Sequence, residues 1–177
     1  MIIRLKDMLP GPRHFDLSFE SSGWGEGDPH DAVVGLDGPL DVHLTVTKEG
    51  DRYTVEGSLE GKIRARCDRC LNIYSHVIES DFKLLLTTLP REAEGREREL
   101  LEEDMAVEFI MEDEIEIDHI VREQLYLSLP MKLLCHESCQ GLCPVCGMNL
   151  NHGSCRCAGH SGHPAFSKLK QLKFDQE

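Results

Sequence analysis

The sequence predicts an α+β fold: an antiparallel β-meander of barrel-like character with one main helix and a cysteine-rich C-terminal zinc-binding module. Three observations carry this. Apolar residues alternate along residues 40–47, one stretch after residue 117 has helical spacing, and eight cysteines fall into four close pairs. The expected division is a β-rich domain over residues 1–131, with an acidic insert at 90–118, followed by a zinc-binding module over 132–177 that ends in a short amphipathic helix.

Residues 21–39 are rich in Gly, Pro and Asp and read as a long loop. Leu40, Val42, Leu44 and Val46 then alternate with polar residues, the period of a half-buried strand. Glu49-Gly50-Asp51 is a hairpin turn, and Tyr53, Val55, Ser58 and Leu59 belong to the next strand. Glu60-Gly61 reads as a turn into Lys62–Arg66, Cys67-Asp68-Arg69-Cys70 as a tight knuckle, and Ile73–Leu86 as one long or broken strand. Residues 90–104 are nearly all charged and read as a solvated linker or frayed helix. A short strand is expected at Val107–Met111. Ile117, Ile120, Val121, Leu125, Leu127 and Leu129 then recur at mostly helical spacing, with Asp118 placed as N-cap and Pro130 closing the segment.

Charge narrows the function classes. The formal net charge is -13, whereas a protein that binds nucleic acid through phosphates carries at least a strong basic patch. The acid is concentrated: thirteen acidic residues face three basic ones within 90–118, and ten face four within 1–51. RNA contact is therefore confined to a local patch, or the direct partner is a basic protein. No stretch approaches the roughly 18 consecutive apolar residues of a membrane span. The charged start at Arg4, Lys6 and Asp7 lacks a signal-peptide apolar segment. The reducing cytoplasm is the expected compartment, where closely spaced cysteines favour metal over disulfides.

The cysteine pairs are Cys67/Cys70, Cys135/Cys139, Cys143/Cys146 and Cys155/Cys157. Zinc takes four ligands in a tetrahedron, and a CxxC turn supplies two sulfurs while backbone amides point at them. Pro144 stiffens the CPVCG turn, and Gly147 can take the positive φ that lets the chain leave it. Four pairs divide between two ions in three ways. Loop closure favours joining Cys143/Cys146 to Cys155/Cys157, which leaves Cys67/Cys70 with Cys135/Cys139. The alternative is a ribbon from Cys67/Cys70 and Cys143/Cys146, with the other four cysteines forming a looser or vacant site. His136 and His152 flank the cysteines, and His160 and His163 lie in an AGHSGHP stretch; exposed, unligated imidazoles are the simpler reading of all four. All-thiolate sites are closed, so a structural rather than a hydrolytic metal is expected. A thiol oxidoreductase reading of CDRC, with Arg66 and Arg69 lowering a thiol pKa, lacks the βαβ context that such sites use.

The basic residues cluster beside these motifs. Lys62, Arg64, Arg66 and Arg69 surround the first knuckle, and Lys168, Lys170 and Lys173 accompany Phe166, Leu169, Leu172 and Phe174 at helical spacing near the C-terminus. They are candidate RNA or partner contacts, against the plainer reading of ordinary surface cations.

The run IDHIVREQLYLSLPMKLLCHESCQGLCPVCGMNLNHGSCRC, preceded by RARCDRCL, resembles the bacterial and plastid YceD family, the large ribosomal RNA subunit accumulation proteins. The likeness covers about residues 50–175 and rests on CxRC, the VREQLxLxLP helix, CxxxCxGLCPxCGxxLN and a terminal AFxxLKxL. It implies a non-enzymatic role in producing or stabilising 23S ribosomal RNA during large-subunit assembly. The implied partners are a pre-50S particle, 23S rRNA or a basic large-subunit ribosomal protein, with no membrane and no small-molecule substrate. Carried over by position, Cys67, Cys70, Cys135 and Cys139 match the more widely shared cysteine pattern. Cys143, Cys146, Cys155 and Cys157 match a cysteine-rich variant.

Overall fold

The computed structural model describes residues 1–21, 24, 31–50, 52–88, 107–110 and 114–157. Seven strands and one helix follow in order: β1 (Ile2–Arg4), β2 (Gly11–Phe19), β3 (Val33–Glu49), β4 (Arg52–Arg66), β5 (Ile73–Thr88), β6 (Val107–Ile110), β7 (Glu114–Glu116) and α1 (Ile117–Ser128). A 3-10 turn at Leu5–Asp7 separates β1 from β2. Strands β2 to β6 form a five-stranded sheet in sequential order, and β1 pairs with β7 in a separate two-stranded ladder. No helix among the described residues is long and apolar enough to cross a membrane.

Among the described residues the chain is mostly β-sheet with one helix, and the sheet is open, with β2 and β6 at its edges. The barrel-like closure expected from the sequence is not formed among the described residues. Helix α1 makes closure unnecessary, because it covers apolar surface that a barrel would have turned inward. Its Ile117, Ile120, Val121 and Leu125 share one buried cluster with Val42, Val46, Val55, Leu59 and Ile63 of the sheet. Each such side chain contributes about 1.5–3 kcal/mol on burial. The meander is also incomplete. Strands β2 to β5 pair antiparallel, but β6 lies parallel to β5, a geometry that needs a crossover connection rather than a hairpin.

Two loop assignments are corrected. The segment 21–39 is not all loop, since β3 already begins at Val33. Nor is Glu60-Gly61 a turn, because β4 runs unbroken from Arg52 to Arg66. The two errors share a cause. The β3–β4 register shifts between Leu36 and Leu40, so β3 bulges against β4 at the level of Gly61. A Cβ on Gly61 would stand 2.9 Å from the Pro39 carbonyl oxygen. Gly61 therefore accommodates a bulge.

Helix α1 matches its expected span to one residue at its end, but its cap differs. Glu116 is the N-cap and makes no side-chain cap bond. Asp118 sits inside the first turn and meets the Met1 α-amino group, an acid placed favourably at the positive end of the helix dipole. Trp24, inside the segment read as loop, is buried. The Arg122 guanidinium lies 5.0 Å from its ring centroid and donates to its carbonyl oxygen at 2.8 Å. The Tyr126 hydroxyl donates to Asp31, giving the segment a second anchor on α1. The charged run at 90–104, the lysine-bearing C-terminal helix and His160 and His163 lie outside the described residues.

Gly57 sits where the sheet is tightest: a Cβ there would stand 2.5 Å from Leu44 Cδ2 and 2.7 Å from Phe82 Cζ. Overpacking of this kind costs about 1–3 kcal/mol. Gly57→Val is expected to lower the unfolding free energy by that amount, read as a lower urea midpoint with an unchanged slope, and an unaltered midpoint would show that the sheet yields there freely.

Candidate metal centres and nucleic-acid interface

Strand β4 ends at Arg66, and the next four residues turn so that Cys67 and Cys70 point the same way. The Leu71 N–H donates to the Cys67 carbonyl at 2.9 Å, which forces Leu71 to a φ of 61°. The second CxxC repeats this device. The Gly147 N–H donates to the Cys143 carbonyl at 2.8 Å, with Gly147 at φ 71°. Glycine takes this left-handed conformation without cost, whereas leucine pays about 1–2 kcal/mol. The strain at Leu71 persists because the surrounding contacts fix the turn.

Those contacts come from the chain beyond α1. The Asp68 N–H donates to the Leu133 carbonyl at 2.8 Å, and the Leu133 N–H returns a bond to Asp68 Oδ2 at 2.7 Å. Arg69 Nη1 donates to the Cys139 carbonyl at 2.8 Å, while the Arg69 carbonyl accepts from the Leu142 N–H at 3.1 Å. Gly141 passes so close that a Cβ would stand 2.9 Å from the Arg69 carbonyl oxygen.

The result is two quartets of sulfur: Cys67, Cys70, Cys135 and Cys139, and Cys143, Cys146, Cys155 and Cys157. Within each quartet every sulfur lies within 4.8 Å of the others. The grouping is the one with the short second loop rather than a ribbon of Cys67/Cys70 with Cys143/Cys146. Neighbouring Sγ atoms stand 3.8 Å apart for Cys67 and Cys139, 3.6 Å for Cys70 and Cys135 and 3.4 Å for Cys143 and Cys155. Metal–sulfur bonds of about 2.3 Å in a tetrahedron imply sulfur separations of about 3.8 Å, and a disulfide only about 2.05 Å. The donors therefore fit a tetrahedral ion, and both quartets could hold one.

The electrostatics point the same way. Burial pushes the Cys67 thiol up, but the amides of Cys70, Cys135 and Arg69 more than offset this, and its pKa falls to about 6. The amides of Cys146 and Val145 likewise bring Cys143 to about 6. Burial and the Cys70, Cys139 and Cys67 sulfurs push Cys135 up to about 12. The Cys146 sulfur, then burial, does the same to Cys157. Each quartet thus sets thiols poised to ionise, Cys67 and Cys139 in the first and Cys143 in the second, beside thiols pushed the other way, Cys70 and Cys135 in the first and Cys155 and Cys157 in the second. A divalent cation removes that conflict, since it binds all four as thiolates.

Among the described residues both quartets consist of cysteines alone. His136 Nδ1 lies 3.2 Å from Cys135 Sγ without joining the quartet, and the His152 N–H donates to the Asn149 carbonyl. Sequence reasoning missed Asn151. Its Nδ2 donates to Cys139 Sγ at 3.3 Å and its Oδ1 accepts from the Gln140 N–H at 2.8 Å. The sequence cue was its place as the last residue of the CxxxCxGLCPxCGxxLN motif, to which no role was assigned.

The basic candidates occupy one end of a divided sheet face. Along β4, the residues on the face opposite the core run Glu56, Ser58, Glu60, Lys62, Arg64, Arg66. Lys62 and Arg64 are exposed and Arg66 is half-buried. They pair with Val77, Ser75 and Ile73 of β5, of which Val77 and Ile73 are exposed apolar residues. The Arg64 guanidinium is laid over Gly35, where a Cβ would meet Nη2 at 2.9 Å. Arg69 is exposed but tethered to Cys139. Lys168, Lys170 and Lys173 lie outside the described residues. Farther along the same face the sign reverses. Asp41, Glu60 and Glu79 stand side by side on three adjacent strands, and Asp16, His43, Ser58 and Asp81 form the next row.

A family model described as large ribosomal RNA subunit accumulation protein YceD matches residues 55–173. The Arabidopsis thaliana protein named large ribosomal RNA subunit accumulation protein YCED homolog 1, chloroplastic, is 26% identical over 158 residues, covering 76% of this chain and 49% of that protein. Its Zea mays namesake is 29% identical over 142 residues, covering 67% and 48%. An uncharacterised Mycobacterium tuberculosis protein is 27% identical over 139 residues, covering 75% and 61%. The chain thus spans about half the length of the plant relatives it matches. No solved structure matches. The family model takes in β4 from Val55 onward, the first knuckle, β5, α1 and both sulfur quartets, and over that span the chain belongs to the YceD family of large ribosomal RNA subunit accumulation proteins.

Proposed function

We propose that this chain is a non-enzymatic, zinc-binding factor that supports 23S ribosomal RNA during assembly of the large subunit, and that it touches RNA through the basic end of its sheet. The observation that carries the reading is the row of Lys62, Arg64 and Arg66 beside exposed Ile73 and Val77. Cations there can meet phosphates, with Arg64 able to stack on an unpaired base and the aliphatic Ile73 and Val77 offering apolar contact beside it. The knuckle that ends β4 fixes the height and direction of this row. Zinc at the first quartet would hold residues 132–157 against it, and zinc at the second would close the 143–157 loop. Residues 132–177 would work as a metal-binding module that shares its first site with the sheet.

The acidic rows favour a second reading, in which a basic ribosomal protein of the large subunit docks on Asp41, Glu60, Glu79, Asp16 and Asp81 and on the acidic run that follows β5. Like charges directly opposed across strands are destabilising, and a cationic partner would relieve them.

Sequencing of RNA crosslinked to the tagged protein in its own cells separates the two. Sharp sites in 23S precursor RNA are expected, and Lys62→Glu with Arg64→Glu should abolish them without changing metal content. In vitro, each lost phosphate contact should reduce the salt slope of single-strand binding by about 0.7. Background-level RNA from a protein still needed for large-subunit yield would favour the basic-protein partner.

Metal content tests the rest. Cys67→Ser and Cys143→Ser should each lose one ion per chain by elemental analysis, and cobalt in the wild-type chain should give a tetrahedral thiolate spectrum. Cys67→Ser should cost on the order of 4 kcal/mol or more, as metal loss does elsewhere. Cys143→Ser should cost less, because its quartet closes a local loop. Unchanged stoichiometry in either variant would remove that cysteine as a ligand.

A further inference from the structure

The two quartets share a ligand set but differ in what surrounds them. In the first, Cys67, Cys70 and Cys139 are buried and Cys135 is half-buried. Their turn is clamped by Asp68 and Arg69, and Tyr74 and Leu134 pack against them. In the second, only Cys143 is buried: Cys146 is exposed, and Cys155 and Cys157 are half-buried. The neighbours Val145 and Met148 are themselves exposed. The loop is held by short-range bonds, from the Cys143 N–H to the Met148 carbonyl at 2.8 Å and from the Leu150 N–H to the Gly141 carbonyl at 2.9 Å. Oxidation of thiolates follows exposure, so this asymmetry separates the two sites chemically.

We propose that the second quartet is an oxidant-sensitive thiol site: a hydroperoxide converts Cys143, Cys146, Cys155 and Cys157 to disulfides and expels their ion, while the first quartet keeps its own. This rests on the metal reading given above. One thiolate attacks a peroxide oxygen, and the O–O bond breaks to give a sulfenic acid and hydroxide. A neighbouring thiolate then attacks that sulfur, an S–S bond forms, and the S–O bond breaks with loss of a second hydroxide. Two protons from solvent turn both hydroxides to water. The two sulfurs lose two electrons and the peroxide gains them. The ion, left with two donors, dissociates, and a second peroxide couples the remaining pair. Cys143 and Cys155, 3.4 Å apart, need only a small approach to bond. The event also reaches the first quartet, because Asn151 lies on the loop between Cys146 and Cys155 and donates to Cys139. Release of that loop removes a hydrogen bond from a ligand of the buried ion.

The test uses the full chain, reduced and loaded with zinc, with its metal content measured first. Limiting hydrogen peroxide is added beside a chromogenic chelator, and cysteine oxidation is mapped by differential alkylation and mass spectrometry. The expected result is loss of one ion per chain, with disulfides confined to the second quartet and the first quartet unoxidised. A Cys155→Ser, Cys157→Ser double variant, loaded at the first quartet, should release no ion on the same treatment. Two ions lost together, oxidation beginning at Cys67, Cys70, Cys135 or Cys139, or sulfinic acids in place of disulfides would each overturn the proposal while leaving the metal reading intact. A chain that takes up no ion before peroxide is added would instead overturn the metal reading, and the proposal with it.

Discussion

The architecture depends on the reciprocal clamp between the first knuckle and the chain after α1. Asp68 bonds Leu133 in both directions, and Arg69 bonds Cys139 through its side chain and Leu142 through its carbonyl. These bonds join residues more than 60 positions apart in sequence, so the loop they close is long and its entropic cost substantial. The two backbone bonds, at a net 0.5–1.5 kcal/mol or so each, and the two made by the charged Asp68 and Arg69 side chains, at about 1.5–3 kcal/mol each, go largely to offsetting that cost. The sulfur quartet adds a reason for the junction to persist. Four sulfurs pulled in opposite directions, with Cys67 near 6 and Cys135 near 12, form an unhappy set as free thiols and a satisfied one around a cation. The strained Leu71 turn is affordable for the same reason.

From this junction the division of the sheet face follows. Because β4 runs straight into the knuckle, its last outward residues, Lys62, Arg64 and Arg66, are fixed beside the quartet, while Glu60 before them sits between the carboxylates of Asp41 and Glu79. Asp41, Glu60 and Glu79 would cost less as neutral residues. Nothing in the packing of the core asks for them, since they face away from it. A face that keeps opposite charges at opposite ends can orient a partner before contact, which acts on association rate and register more than on affinity.

The features legible in the sequence were those set by local chemistry. Period-2 alternation gave the strand at Leu40–Thr47, helical spacing gave α1, and cysteine spacing gave the four pairs. What was not legible depended on distant chain. The β3 bulge shows itself only when Pro39 is placed against Gly61, so Gly61 read as a turn. Strand β2 was missed although Phe15, Leu17 and Phe19 alternate, because its polar residues exchange bonds with β3, as His43 does with Asp16, and edge strands carry weak apolar signals. The open sheet was hidden because closure and coverage by a helix demand the same apolar faces. Asn151 illustrates the limit at the site: an asparagine in a loop reads as a turn residue, and only the fold shows its amide on a sulfur.

The two quartets are best understood as unequal partners in one structure. The Asn151 bond means that the loop closed by the second also supports a ligand of the first, and hydrogen bonds to metal-binding sulfurs tune how firmly they hold an ion. Residues 143–157 close on themselves through the Leu142–Asn149 bridge and the Cys143–Met148 bond, contacts that do not pass through the knuckle. The coupling through Asn151 is reciprocal, but the outer quartet is the more exposed of the two, so chemical disturbance enters there first. The junction that fixes Lys62 and Arg64 at the end of β4 is thus joined to the outer quartet through Asn151 and Cys139.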